Sequence, residues 1–435
     1  MIASLHSPIA ARVLAFIAVA AAPLTTLGAQ SLTQRVDAVR DGVVQFNYPA
    51  RAGVCGNGRS YISYAPGSFV GSNVSVVNGV PSEGCEPGPV RVIIARSGGM
   101  TTAIDAFVGG PATVPPGVSD LGAVEAAQAH EYLLEQASRL DGKPGRDAIF
   151  PAMLAEGATA SAPLVALARD RARPLETRRS AISWIGRMSA APGRGGGPAV
   201  ASLADMARAR DDNPSVRQQA VSTLARLGQG EGVPTLIEMA RASNDAWLAE
   251  QSATQLSRSG DPRARQWLRS AVEAADTPDP VRQLAIRGLG GQYATAQDMA
   301  MLRQAYARLS SASAKGRLVS TLATLGGREN VEWLLGIART TGETTALRRQ
   351  AALAAEKAGA SGAELAQLYD STSDRDVKYA FVEVYARRGT DEAVSKLIAI
   401  AKDDPDSMVR RRAITRLSRS TDPRAIQALQ EIIQP

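Results

Sequence analysis

The sequence has few of the residues that metal sites and aromatic cores require. Its 435 residues include two histidines, two cysteines and only 4% aromatic residues. One histidine, His6, lies in the first ten residues and the other is His130, which argues against a multi-histidine metal site. With so few aromatic residues, alanine and leucine must fill the core, and these residues suit closely packed helices. We therefore expect no metal and no cofactor.

Catalytic motifs are missing as well. His130-Glu131 is not followed by a second histidine at zinc-protease spacing, and there is no Gly-x-Ser-x-Gly nucleophile motif. The glycine-rich stretch 193–197 lacks the Lys-Ser/Thr of a phosphate loop. The sequence thus predicts no catalytic residue and no enzyme. The alternative is an enzyme, or an enzyme accessory, with its chemistry in residues 30–118 or at their junction with the later helices.

Residues 1–29 have the pattern of a secretory signal peptide. His6 and Arg12 precede an apolar run at 13–23, and Leu27-x-Ala29 is a plausible cleavage site. The run is too short for a stable membrane span, although an uncleaved anchor is the alternative. We expect an exported protein, periplasmic or extracellular, without a transmembrane segment in its mature part.

Residues 30–108 differ in composition from the rest and predict a small β-rich module. Strand-like patterns occur at 42–48, 59–64, 90–96 and 100–108, and a Ser-Gly-Gly turn joins the last two. Residues 31–41 can form a short helix. In an exported protein, Cys55 and Cys85 are most simply one disulfide; two unpaired thiols are the alternative. Residues 109–118, rich in glycine and proline, are predicted to be a linker.

From residue 119 to 435 the apolar residues recur with a helical period. We expect Ser119 or Asp120 to cap the first helix. A second helical stretch follows at about 147–171. A short pattern then recurs with a spacing of 32, 33, 33, 33, 30 and 32 residues. Its anchors are Val216, Leu248, Val281, Ala314, Leu347, Val377 and Val409. A diverged copy containing Arg178 precedes them, separated by a flexible loop at 190–198. Such a period indicates a solenoid, in which each unit buries its apolar face against its neighbours.

Within each copy the anchor, a small residue four positions later and a leucine-type residue eight positions later share one helix face, as in Val216, Ala220 and Leu224. A glycine that can end the helix follows in five copies: Gly228, Gly260, Gly326, Gly359 and Gly389. A second apolar helix comes next, so we expect each unit to be an anchor helix paired with the helix that follows it.

The Val-Arg-x-x-Ala-x-x-x-Leu core, its period and its terminal glycine resemble HEAT repeats, and short bacterial HEAT-like repeats in particular. The resemblance implies a mainly α fold: a right-handed α-solenoid of about eight or nine helical hairpins after the β-rich module. The family also carries an aspartate before the valine that forms a ladder with arginines of neighbouring repeats. Asp211, Asp276 and Asp404 stand five residues before their anchors. Non-acidic residues occupy that position in the other four copies, so an unbroken ladder is not predicted.

The residue after the anchor is basic in six of the seven copies. These residues are Arg217, Arg282, Lys315, Arg348, Lys378 and Arg410. Stacking would place them about 10 Å apart, as a basic stripe that could bind an acidic partner or a polyanion. The alternative, which we favour, is that each cation pairs with a carboxylate or a helix end of an adjacent repeat.

Trp267, Met301 and Trp333 occupy matching positions in consecutive second helices. Because Thr235, Glu364 and Lys396 fill the same position in other copies, the position can face solvent. The three residues could then form an apolar contact patch for a partner. The alternative is that they pack into the groove between repeats.

The sequence as a whole predicts a non-enzymatic scaffold of the cell envelope that binds another protein through the solenoid surface. We expect a monomer that does not bind nucleic acid. The second hypothesis is binding of an envelope polyanion through the basic stripe, for which a net charge of +7 gives modest support.

Overall fold

A computed structural model describes residues 30–59, 62–64, 76–77, 80–81, 85–110, 114–159, 162–189, 197–241 and 244–433. The predicted signal peptide, residues 1–29, lies outside the described residues, and so do residues 190–196 of the predicted flexible loop. In the described part, a β-rich module precedes a long array of helices.

The module contains nine strands among the described residues. They are β1 (Gly42–Tyr48), β2 (Val54–Gly56), β3 (Ile62–Tyr64), β4 (Val76–Val77), β5 (Val80–Pro81), β6 (Glu86–Pro87), β7 (Val90–Ser97), β8 (Met100–Val108) and β9 (Val118–Ala123). The main sheet has the order β8-β7-β1-β9, and β2, β3 and β6 form a smaller antiparallel sheet. The predicted hairpin is confirmed, because β7 and β8 pair antiparallel around Gly98 and Gly99, both of which have positive φ.

The predicted boundary between linker and solenoid is wrong. Residues 118–123 form β9, which pairs parallel to β1 from Val43↔Val118 to Asn47↔Ala123 and completes the main sheet. Ser119 and Asp120 therefore lie in a strand and do not cap a helix. The sequence did not reveal this strand because its polar residues lack a two-residue alternation, and backbone hydrogen bonding holds it in place.

Cys55 and Cys85 form the predicted disulfide, with their Cα atoms 5.2 Å apart. The start of the predicted linker packs closely against the same small sheet. A Cβ atom on Gly109 would come within 2.4 Å of the Gly56 carbonyl oxygen, and Gly109 has a φ of 70°. Only glycine fits this close approach of two backbones.

The helices begin with the predicted short α1 (Leu32–Asp37), and the array follows. Its members are α2 (Ala126–Arg139), α3 (Gly142–Leu154), α4 (Ala162–Arg169), α5 (Leu175–Ser189), α6 (Gly197–Arg208), α7 (Pro214–Ala225), α8 (Val233–Arg241), α9 (Ala246–Leu256), α10 (Pro262–Glu273), α11 (Asp279–Leu289), α12 (Ala296–Ala305), α13 (Ala312–Leu325), α14 (Arg328–Arg339), α15 (Thr345–Ala358), α16 (Gly362–Ser371), α17 (Arg375–Arg388), α18 (Asp391–Asp403), α19 (Ser407–Leu417) and α20 (Pro423–Ile433). The stretch predicted as one helix at about 147–171 is divided between α3 and α4.

The helices pair into hairpins differently from the prediction, in which each anchor helix pairs with the helix after it. Along most of the array, each anchor helix packs most extensively against the helix before it, as in α6 with α7, α8 with α9 and α14 with α15. Successive anchor helices, α5 to α19 in odd numbers, also contact one another closely, whereas the alternate helices touch less. We call the odd-numbered anchor helices the inner helices and the even-numbered ones from α4 to α20 the outer helices.

The predicted packing positions hold. The small residues Ala220, Ser252, Ala285, Ala351 and Ala413 are fully buried, so neighbouring helices can approach closely. Gly326, Gly359 and Gly389 are C-caps with positive φ, as expected of helix-ending glycines. Gly228 and Gly260 lack a positive φ and do not serve this role.

The β-rich module and the first helices share one core. The ring of Phe46 meets that of Tyr132 edge to face at 6.0 Å, and both side chains are buried. The Tyr48 hydroxyl donates a buried hydrogen bond of 2.6 Å to the carbonyl oxygen of Pro151 in α3. The backbone N–H of Arg51 donates to the Leu154 carbonyl at 2.8 Å. The module is therefore docked on the first hairpin of the array.

Tyr48→Phe should lower the free energy of unfolding by about 1–2 kcal/mol, because the buried Pro151 carbonyl loses its donor. Urea unfolding followed by tryptophan fluorescence measures the change. Tyr293→Phe is the matched control, since the Tyr293 side chain is 46% exposed; its effect should stay within about 0.5 kcal/mol. Equal effects of the two variants would contradict a stabilising contact between module and helices.

Candidate functional site

The cations of the predicted basic stripe lie inside the helical array and not on an open surface. The Arg217 side chain donates from Nε to the Ala207 carbonyl at 2.9 Å and from Nη2 to Asp245 at 2.6 Å. Arg348 repeats this geometry with the Ala338 carbonyl and Asp374. The carbonyl belongs to the end of the preceding outer helix, and the carboxylate lies at the start of the next inner helix. One side chain thus closes a hairpin and joins it to its neighbour.

The remaining cations follow the same plan with some variation, and we call the whole set the ladder cations. Lys315 pairs with Glu343 and Lys378 with Asp404, each at 2.7 Å. Arg178 of the diverged copy bonds the Ala168 carbonyl and Asp212. Arg282 and Arg410 bond only backbone carbonyl oxygens among the described residues. The stripe therefore does not form an open anion-binding surface.

The favoured pairing of these cations with carboxylates and helix ends is thus seen in the structure, as a carboxylate ladder that is not continuous. Its acids, Asp212, Asp245, Glu343, Asp374 and Asp404, stand three to five residues before the next anchor. Of these five acids, only Asp404 stands at the fifth position before its anchor, where the family pattern has its aspartate. The pattern therefore does not reveal the other four. The ladder is interrupted between α9 and α13, because Ala249 replaces the cation on α9 and Arg282 on α11 has no carboxylate partner among the described residues.

Arg217→Gln should destabilise the solenoid by about 3 kcal/mol, because the Asp245 carboxylate loses its 2.6 Å ion pair and the Ala207 carbonyl loses its side-chain donor. The thermal midpoint of helix loss by circular dichroism measures this. Arg349→Gln removes the same charge from an exposed site on an inner helix and should have an effect within about 0.5 kcal/mol. If both variants melt like the unmodified protein, the ladder does not hold the repeats together.

Trp267, Met301 and Trp333 do not form the exposed row that the sequence allowed. Trp267 is only 5% exposed, and Met301 and Trp333 are partly buried against the core. The Trp333 ring packs edge to face on Tyr306, with centroids 5.1 Å apart. The matching position lies over the groove between outer helices, where long side chains fold inward; Lys396, for example, lies over the Tyr369 ring.

Asp298 is a buried carboxylate that the sequence analysis did not single out. It accepts hydrogen bonds from Arg265 at 2.5 Å, from Arg269 at 2.7 Å and from Thr295 at 2.6 Å. Thr295 and Asp298 form the capping box of α12. Burial alone raises the pKa of Asp298, but the hydrogen bonds from Thr295, Arg269 and Arg265 outweigh it and lower the pKa to about 2. Its acceptor atoms are engaged, so Asp298 serves as a structural junction.

Asp298→Asn should reduce the free energy of unfolding by about 2 kcal/mol at neutral pH. Because the folded-state pKa lies below the unfolded value, this stabilisation is complete above pH of about 4 and disappears as the pH falls toward about 2. Urea unfolding of both proteins between pH 7 and 3 measures the difference. Glu332→Gln, which removes an exposed ion pair with Arg328, should cost less than about 0.5 kcal/mol. A loss from Asp298→Asn that is independent of pH would argue against ionisation as the cause.

His130 lines an open groove of about 1090 Å³ between α1, α2, α4 and the 156–159 loop. Its Nδ1 lies 2.8 Å from the Ala152 carbonyl oxygen, which fixes the ring against α3. Carboxylates line the same groove: Glu131, Glu135, Glu156 and Asp170. None of them hydrogen-bonds the His130 ring, so the arrangement does not form a nucleophile–base relay. In the described part of the chain, no three His, Cys, Asp or Glu side chains cluster as metal ligands.

The face of the inner helices that points away from the outer helices is mainly polar, and its side chains contact one another across repeats. Side-chain hydrogen bonds link neighbouring inner helices there: Gln219 to Ser183, Gln255 to Ser222 and Gln350 to Ser320. We call this surface the inner face. Its residues lie two, three, six and ten positions after each anchor, and Gln255 and Arg416 reach it from the seventh position, which is buried in most other copies.

Residues 200–290 and 362–434 match the family model described as HEAT repeats. These two segments contain HEAT repeats. Both matched segments begin in an outer helix, α6 and α16 respectively, which agrees with the hairpin phase of the structure. The ladder and the small-residue packing extend the same HEAT architecture through α13 and α15, between the matched segments.

Several solved structures are similar to this HEAT array. Human deoxyhypusine hydroxylase is 16% identical over 70% of this chain and 97% of its own, with a TM-score of 0.24. Lipovitellin is 12% identical over 84% of this chain and 38% of its own, with a TM-score of 0.43. Kap95p, solved with RanGDP, is 12% identical over 67% of this chain and 44% of its own, with a TM-score of 0.38. The chain therefore spans less than half the length of the last two.

Among curated proteins, no sequence relative matches this chain. None of the helices in the described ranges is long and apolar enough to cross a membrane.

Proposed function

We propose that this protein is a non-enzymatic scaffold of the cell envelope that binds another protein on the inner face of its HEAT solenoid. One observation carries the proposal: polar side chains of the inner face link neighbouring helices from α5 to α9 and from α13 to α19, whereas most of the ladder cations and Trp267 are used in packing. A surface that spans many repeats suits an extended contact with a partner.

The location in the envelope has separate support. The first 29 residues have the pattern of a secretory signal, and the Cys55–Cys85 disulfide suits an oxidising compartment. The non-enzymatic role is supported by the isolation of His130 from any hydrogen-bonded carboxylate and by the missing catalytic motifs. Binding of a polyanion through the predicted stripe loses its basis, because those cations are hydrogen-bonded within the array.

Site-specific photo-crosslinking in envelope extracts tests this function. A crosslinking residue at Gln218 or Thr415, which are exposed on inner helices, should capture a discrete protein, because the partner covers that face. The matched positions Gln266 and Gln304, exposed on outer helices, should give no such product. Capture from the outer positions, or from neither set, would overturn the proposal.

A further inference from the structure

Six consecutive inner helices, α5 to α15, each carry one exposed arginine without an ion pair among the described residues. We call this set the arginine track: Arg187, Arg226, Arg258, Arg287, Arg317 and Arg349. Several other cations on the inner face are neutralised, since Arg387 pairs with Glu356 and both Arg412 and Arg416 pair with Glu383. Lys357, Arg411 and Arg419 likewise have no ion pair among the described residues, but the track is the longest run of helices in which every member has such an arginine.

The track follows one face of the array. Arg187, Arg226 and Arg258 stand ten residues after the anchor or its equivalent, and Arg287, Arg317 and Arg349 stand six, three and two residues after it. At about 100° per residue, the four members that lie within their helices, Arg187, Arg287, Arg317 and Arg349, fall within a sector of about 100°; Arg226 and Arg258 follow the C-terminal ends of α7 and α9. The shift from ten to two residues moves the track about 12 Å along the helix axis. The track therefore crosses the inner face diagonally, with about 10 Å between neighbouring helices.

Contacts place neighbouring members of the track close together. The Arg187 guanidinium stacks over the Trp184 ring at 5.0 Å. Burial and the nearby charge of Arg226 both lower the pKa of Arg187. Farther along, Arg287 and Arg317 line the same pocket of about 280 Å³, together with Glu250, Gln251 and Gln283. Like charges held side by side repel each other, and a bound anion would relieve that repulsion.

Helix dipoles do not explain the track. A cation stabilises the C-terminal end of a helix, which accounts for Arg187, Arg226 and Arg258. Arg317 and Arg349, however, lie in the N-terminal halves of α13 (Ala312–Leu325) and α15 (Thr345–Ala358), where the dipole gives a cation no such advantage. These two arginines therefore require a different reason.

We propose that the arginine track binds an extended acidic segment of a partner protein. This inference rests on the proposed function of the inner face and specifies the chemistry of its partner. An extended chain advances about 3.3 Å per residue, so a carboxylate at every third residue matches helices about 10 Å apart. Glu250 lies in the same pocket as Arg287 and Arg317 and would repel a uniformly charged polyanion. The side-chain amides of Gln251 and Gln283 can hydrogen-bond a peptide backbone there.

The test uses the full exported chain and a fluorescent peptide of about 18 residues with aspartate at every third position between glycine and serine. Fluorescence anisotropy should show binding that weakens as ionic strength rises from about 0.05 to about 0.3 M. The same peptide with asparagine in place of aspartate should not bind. Failure of the aspartate peptide to bind would overturn the inference.

Two double variants locate the site. Arg258→Gln with Arg287→Gln should weaken peptide binding about fivefold or more, because two charge pairs are lost. Arg241→Gln with Arg339→Gln removes two exposed arginines from the last turns of outer helices and should change binding by less than about twofold. All four positions are exposed, so both variants should melt at the unmodified temperature. If both double variants lose the same amount of peptide affinity, the effect depends only on the net charge of the protein, and the inference is overturned.

Two further outcomes separate the possible failures. If a polyphosphate chain or a single-stranded oligonucleotide binds more tightly than the aspartate peptide, the ligand is a polyanion and not an acidic protein segment, and the inference is overturned. If the partner captured at Gln218 binds the Arg258/Arg287 variant as well as the unmodified protein, this inference fails while the proposed function stands.

Discussion

One recurring interaction, the hydrogen bonding of the ladder cation, holds the array together. The last carbonyl groups of a helix have no partner within that helix, and a buried charge is costly unless it is paired. A single guanidinium such as that of Arg217 provides a partner for both kinds of group. It donates to a carbonyl at the end of one outer helix and to a carboxylate at the start of the next inner helix. Closure of a hairpin and stacking of the next are therefore coupled through one residue.

This use of the cations determines where function can reside. Because the residue after each anchor is engaged in packing, it is not free to bind a partner. The residues two, three, six and ten positions after the anchor can differ more from repeat to repeat, since an inter-repeat ion pair forms there only in some copies, as between Arg387 and Glu356. The inner face carries the exposed side chains through which one solenoid can differ from another.

Much of the fold was readable from the sequence because it depends on side-chain periodicity. The positions of Val216, Ala220 and Leu224 in each copy, the β7–β8 hairpin and the Cys55–Cys85 pair all follow from local pattern. The hairpin phase was not readable, because an anchor helix has a neighbour on each side in sequence and the periodicity is the same in either pairing. β9 escaped because backbone bonds, which leave no side-chain pattern, hold it to β1.

The candidate site was less predictable for a geometric reason. Arg217 and Arg226 lie nine residues apart in the same repeat, yet one is buried in an ion pair with Asp245 and the other is exposed. Which arginine meets a carboxylate depends on the length of each turn, because the ladder acids stand at three to five residues before their anchors. For Trp267 both readings stayed open for the same reason, since its burial depends on the groove between two helices.

The interruption of the ladder between α9 and α13 has a mechanical meaning. Two stretches of cross-braced repeats, α5 to α9 and α13 to α19, flank two junctions in which no side-chain ion pair between the anchor helices resists bending. The bracing at this point lies on the outer row instead, where Asp298 of α12 pairs with Arg265 and Arg269 of α10. A partner bound along Arg258 to Arg317 would therefore bridge two stretches of repeats that are braced by separate sets of ion pairs.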